Sequence, residues 1–339
     1  MLQFRNATPF KGTLTLLPDA AGIDTLYTIV KGTFSIGTAH QRSQLSLADE
    51  QIPVMVAPEY NGEPGTSSVK TPCDVSLEKP GTDVVVMGSA WAPNGRAVQA
   101  MDVSVTVGRL QKVARVYGDR FWAYAGVGFQ ATGPEPFEVM PLVWERAYGG
   151  SDVVKEAPTQ HAINPVGTGY RVSEGGLPVE GVRLPNIEDP RELITSWNQR
   201  PVPMGFAPID AFWEPRRSYA GTYDEQWLSQ RAPYLPKDFD PRFLQIAPPD
   251  MIVPRVHAGE WVDLRGWTPD GLLQFQLPDV PLRIVYRVDG KLVQRPAVID
   301  TVVIEPDRRR LQLVWRAALS CDKKALKVNQ IEASLAPAA

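Results

Sequence analysis

The acidic residues between Leu184 and Pro254 are the first place in this chain where chemistry could reside. Glu188, Asp189, Asp210, Glu214, Asp224, Glu225, Asp238 and Asp240 lie there among Trp197, Trp213, Trp227 and several tyrosines. Two carboxylates facing each other across a cleft walled by aromatic rings are the equipment of glycoside hydrolysis. One protonates the leaving oxygen while the other attacks or activates water. The same acids also have plainer uses. Asp189, Asp240 and Glu225 stand where helix starts are expected, and a carboxylate there satisfies free backbone N–H groups. Clustered tryptophans can equally form a small local core.

Other chemistries lack their spacing. His40, His161 and His257 are far apart, and no H-E-x-x-H, C-x-x-C or calcium-loop pattern occurs, so no metal or cofactor is expected. His161, three residues before Asn164, reads as a hydrogen-bonded structural histidine. Gly62–Thr71 does not have the phosphate-loop spacing, and Gly126-Val127-Gly128 lacks the third glycine of a dinucleotide fingerprint. No G-x-S-x-G elbow is present. Cys73 and Cys321 sit in no nucleophile signature and read as free thiols of a reducing compartment. No catalytic residue is assigned.

Binding is the remaining use of the segment. Residues 197–243 are enriched in the types that dominate protein interfaces, Trp, Tyr, Phe, Met and Arg. Trp213, Arg216, Arg217, Tyr219 and Trp227 are the candidate partner-binding residues; arginine in particular suits bidentate contact with carboxylates. A net charge of −3 and a pI near 5.8 argue against a nucleic-acid partner. The first residues lack a leader pattern, and no apolar run is long enough to insert in a membrane, so a soluble, cytoplasmic protein is expected.

What must hold these residues is mainly β-structure. Twelve of the 32 prolines fall in the stretch Leu184–Pro254, too many for a long helix or a central strand there. Its aromatic content distinguishes it from a disordered linker. On either side the pattern is of strands. Leu26–Ile36 alternates, Thr82–Trp91 carries the unbroken valines of a doubly buried strand, and Met101–Val107 alternates apolar with polar. Val113–Tyr117 and Arg120–Tyr124 flank Gly118-Asp119, which predicts a type II′ hairpin. After Pro254, strands are expected at Glu260–Gly266, Leu272–Leu277 and Leu282–Val288. Asp289-Gly290 predicts a hairpin into Lys291–Arg295, and Val298–Ile304 and Leu311–Leu319 flank a turn at Glu305–Arg310. The tail Ala325–Leu335 is ambiguous between strand and helix. Short helices are expected at Asp189-Pro190, after a capping box at Thr222–Glu225, and at Asp240-Pro241. The expected fold is one interlocked unit over residues 1–339 of sandwich-like antiparallel sheets. It divides into a β region (1–125), an irregular segment with short helices (126–254) and a second β region (255–339).

A series of motifs runs in order along the chain. They are KGTF (Lys31–Phe34), KPGTDVVVMG (Lys79–Gly88), GDRFW (Gly118–Trp122), PFEVMPLVWERAYGG (Pro136–Gly150) and NPVGTG (Asn164–Gly169). LPNIEDP (Leu184–Pro190), AGTYDEQW (Ala220–Trp227), LPKDFDPRF (Leu235–Phe243) and Trp315-Arg316 complete the set. With them the chain resembles the DUF2169 proteins of bacterial type VI secretion gene clusters, over about residues 27–316. The resemblance implies a non-enzymatic adaptor or chaperone. It would bind a type VI effector, often one with a PAAR domain, and help load it onto the VgrG spike. The second reading, from the residues alone, is a carbohydrate- or peptidoglycan-binding or -hydrolysing β-protein that uses Trp213, Trp227 and nearby carboxylates.

Overall fold

The strand Asp24–Ile36 runs through the largest sheet, paired on one side with Lys11–Pro18 and on the other with Arg310–Ser320. It belongs to a computed structural model that describes residues 2–38, 42–154, 157–172 and 178–336. His40 lies outside the described residues. The sheet order is Ile252–Val253, Thr82–Val86, Val298–Glu305, Arg310–Ser320, Asp24–Ile36, Lys11–Pro18, with Leu45–Leu47 added beside the end of Asp24–Ile36. Strands from the two halves of the chain are therefore interleaved in one sheet. Val84, Val85 and Val86 are fully buried, as a valine run with both faces covered requires.

Two smaller sheets pack with it. One has the order Gln3–Asn6, Val328–Leu335, Leu282–Val288, Lys291–Pro296. The other runs Ile187–Glu188, Leu110–Tyr117, Ala100–Val107, Trp261–Arg265, Leu272–Gln276. Residues of all three sheets meet in one hydrophobic cluster. The Tyr286 hydroxyl and Thr28 Oγ1, 2.8 Å apart, join the large sheet to the first small one inside it. The fully buried Phe206 meets the Trp267 ring edge-on at 5.0 Å, while its carbonyl accepts from Val86 N at 3.0 Å. The central segment is thereby drawn into the core.

The mainly β reading holds, with short helices only. Two pairings inside these sheets are parallel: Thr82–Val86 with Val298–Glu305, and Gln3–Asn6 with Val328–Leu335. Parallel neighbours need a long crossover, and here it carries most of the chain. Asp289 and Gly290 turn with φ of 51° and 79°, the left-handed pair a type I′ hairpin demands. The strands Val298–Glu305 and Arg310–Ser320 pair across a short 3₁₀ turn at Pro306–Arg308. The tail resolves into a 3₁₀ stretch, Asp322–Lys327, and a strand, Val328–Leu335.

Three local expectations are corrected. Gly118-Asp119 makes no hairpin: Leu110–Tyr117 pairs back onto Ala100–Val107, and Trp122–Tyr124 pairs with Phe129–Ala131. Gly118 is needed for closeness, since a Cβ there would sit 1.7 Å from the Glu135 carbonyl oxygen. Asp189-Pro190 forms a single turn, with Glu192 N donating to Asp189 O, and the chain then extends. The helix Glu225–Gln230, the one α-helix among the described residues, is capped by Asp224 and not Thr222. Asp224 accepts from Trp227 N, whereas Thr222 donates to Asp238. Asp240 caps the 3₁₀ turn Pro241–Leu244 as expected. Among the described residues no helix is long and apolar enough to cross a membrane.

Candidate functional site

Most acids of the central segment are engaged locally. Glu188 is buried against Arg120 and accepts from Ile194 N at 2.8 Å. Asp210, also buried, accepts from Phe212 N at 2.8 Å. Glu214 accepts from Ser218 N and Oγ, and Asp238 from Thr222 N and Oγ1. The Arg191 bond holds the Asp189 carboxyl below its usual range, Thr222 does the same for Asp238, and Arg242 for Asp240. A general acid needs the opposite shift.

The ordered motifs meet in buried polar joints. Lys31 Nζ lies 2.8 Å from Asp74 Oδ2, both almost fully buried, and the same oxygen accepts from Met55 N. Arg316 pairs with Asp300 at 2.5 Å and donates to the carbonyls of Asp74 and Ser76. Asn186 Nδ2 donates to Tyr117 O and Asp119 Oδ1, while its Oδ1 accepts from Arg146. Asn164 Nδ2 donates to the carbonyls of Trp144 and Tyr148. The His161 ring stands edge-on to Tyr148 and Tyr170, and its Nδ1 accepts from Asn164 N at 3.2 Å, the structural role read for it. Most of these joints tie irregular backbone to a sheet or to another loop, where every buried N–H and C=O must find a partner.

Between those joints the central segment leaves a cleft of about 510 Å³ against the loop 58–79. Its wall is mostly apolar: Tyr60, Val69 and Leu77 from the loop, Ile209, Phe239 and Phe243 from the segment. Three charged side chains reach it, Lys79, Asp210 and Arg216. Lys79 is already satisfied by Asp83 and Thr301 Oγ1, each at 2.8 Å. Burial first, then the hydrogen bond and charge of Asp210, push the Tyr60 phenol up to about 12, so it stays a neutral donor. Arg216 also lines a second apolar cleft, of about 440 Å³, with Tyr219, Arg242 and Ile252. The Cys73 thiol borders the first cleft, half-buried and pushed up by burial; Cys321 is buried elsewhere, and neither is in a disulfide.

The five candidate contact residues separate. Trp213 is 3% exposed and stands edge-on to Trp144 at 6.1 Å, so it supports the segment from behind. Arg216 sits between the clefts, and Tyr219 lines the second beneath the Arg242 guanidinium, 4.2 Å from its ring. Arg217 is exposed on the 3₁₀ turn Arg217–Tyr219. Trp227 is half-buried against Tyr223 on the short helix, its Nε1 donating to Tyr234 O at 2.9 Å. Sequence reasoning missed Phe212, 77% exposed beside buried Trp213, and the whole 58–79 wall. The signal for that wall was the KPGTD motif, whose Lys79 and Asp83 join it to the sheet.

A family model described as an uncharacterized protein conserved in bacteria, DUF2169, matches residues 21–316. No curated protein and no solved structure matches the chain.

Proposed function

The chain belongs to the DUF2169 family, and on that premise we propose that it is a non-enzymatic adaptor of type VI secretion. In this reading it acts in the cytoplasm, binds an effector protein that can carry a PAAR domain, and helps load it onto the VgrG spike. One observation carries the reading: most acids of the central segment are occupied in holding it, while apolar clefts stand open at its surface. Apolar pockets with a few placed polar groups are what protein and ligand recognition use. The carbohydrate reading draws less support, because Trp213 is buried and Asp189, Asp238 and Asp240 are held below the usual carboxylate range.

Co-expression with the effector encoded beside this chain's gene tests the adaptor role. The expected result is an effector that is soluble, captured by this chain and recovered on VgrG only when the chain is present. An effector equally soluble and equally loaded without it refutes the reading.

A further inference from the structure

Arg216 differs from the other arginines that hold the fold together. Arg120, Arg310 and Arg316 each grip a buried or nearly buried carboxylate. Arg216 instead gives its Nε to Phe243 O at 3.1 Å and its Nη1 to Ile209 O at 2.5 Å, and lies over the Phe243 ring. Among the described residues no carboxylate stands within ion-pair distance of it; Asp83 and Asp210 act on it only at longer range. Carbonyls accept its hydrogen bonds, so its charge has only these two longer-range carboxylates and no contact ion pair. A cation in an apolar wall gains most from an anion brought into the same low-dielectric space.

The walls of the first cleft specify the rest of the occupant. Pro58, Pro72, Pro208 and Pro233 line it together with Tyr60 and Phe239, and an aromatic-lined apolar groove is a surface that extended peptide docks against. A volume of about 510 Å³ is within the range of sites that enclose a few side chains. Tyr234, between the lining residues Pro233 and Leu235, is 40% exposed and continues the apolar surface outwards.

We propose that this cleft, between residues 58–79 and 208–246, receives an apolar peptide segment of the effector whose carboxylate, a side chain or a free C-terminus, pairs with Arg216. The proposal rests on the adaptor reading. Arg216 is the specificity element, and the proline and aromatic walls take the neighbouring apolar side chains.

Overlapping synthetic peptides covering the adjacent effector, each made as free acid and as amide and with Glu→Gln or Asp→Asn replacements, test it. One peptide is expected to bind. Removing its carboxylate should weaken binding about ten- to a hundredfold, the range for a charge-assisted bond. Arg216→Gln should do the same, and the two changes together should cost little more than either alone. Bound peptide should also slow the reaction of Cys73 with methyl methanethiosulfonate. Arg216 also ties two backbone carbonyls, so Ala211→Trp, which fills the cleft from its wall, serves as a second variant and should abolish binding. If intact effector binds the wild type and Ala211→Trp equally, with Cys73 equally reactive in both complexes, the cleft assignment fails while the adaptor reading stands. If intact effector does not bind the wild type, both fail. If dodecanoate protects Cys73 and no peptide does, the occupant is a small amphiphile and the proposal is overturned.

Discussion

Asp83 Oδ1 accepts the backbone N–H of Ile246 at 3.0 Å across 163 residues of chain. The same oxygen accepts Ala247 N at 2.9 Å and Gln245 Nε2 at 2.8 Å, and Oδ2 takes Lys79 Nζ at 2.8 Å. A fully buried carboxylate on a strand of the largest sheet thus holds the far end of the central segment and one wall of both clefts. Asp83, the acid that anchors these walls, is not among the eight acids read from sequence as candidates for chemistry.

Asp83→Asn is expected to lower stability by about 3–5 kcal/mol, the cost of breaking a buried ion pair and leaving Lys79 uncompensated. Urea unfolding gives the magnitude. Native-state hydrogen exchange gives the mechanism: the Ile246 and Ala247 amides should lose protection before the strand Thr82–Val86 does. Uniform loss of protection would mean that Asp83 stabilises the sheet alone.

Gly118→Ala must move backbone, because its Cβ would meet the Glu135 carbonyl oxygen. A loss of several kcal/mol or failure to fold is expected, beyond the ~1–3 kcal/mol of ordinary overpacking. Gly133→Ala, with no atom within 4 Å of the new methyl, is the control and should change stability by less than about 0.5 kcal/mol. Thermal unfolding of the pair separates close approach from turn formation.

What sequence made legible here is what period and local turn chemistry encode. Met101–Val107 alternates and folds as a strand, and Asp289-Gly290 turns a hairpin because the adjacent left-handed residues determine it. Gly118 was misread because a glycine needed for clearance from a residue 17 positions on looks the same as one needed for a turn. The parallel pairing of Thr82–Val86 with Val298–Glu305 was invisible, since register between distant strands is set by packing and not by either segment alone. Of the site, Arg216 was legible by composition. Tyr60 and Cys73 were not: the KPGTD motif marks where the loop 58–79 is anchored to the sheet, and nothing upstream of it announces that the loop faces Phe239 and Phe243.

His161 should make stability depend on pH just below neutrality. Burial first, then the charge of Arg200, hold its pKa below the usual 6.5. Protonating Nδ1 would also remove the acceptor of Asn164 N. With the folded pKa depressed, the stabilisation is complete above the unfolded value and is lost as pH falls from about 6.5 through the folded pKa. Chemical denaturation from pH 7.5 to 5 should show that decline in the wild type, and His161→Gln should flatten it. An unchanged profile in the variant would rule His161 out as its source.

The tryptophans of the central segment should divide by burial. Trp213→Ala is expected to cost about 3–5 kcal/mol, the range for emptying a buried ring site, since Trp213 packs edge-on against Trp144. Trp144 in turn donates to the carbonyls of Ala207 and Pro208, so the cavity would loosen the wall that carries Asp210 and Arg216. Trp227→Ala should cost less, roughly 0.5–2 kcal/mol, because its ring is half-exposed on a short helix. Phe212→Ser removes an exposed ring and should leave stability within about 0.5 kcal/mol. If the central segment docks the effector, that third variant should still weaken capture of the co-expressed partner. Equal capture by Phe212→Ser and wild type would take this exposed ring out of the docking surface.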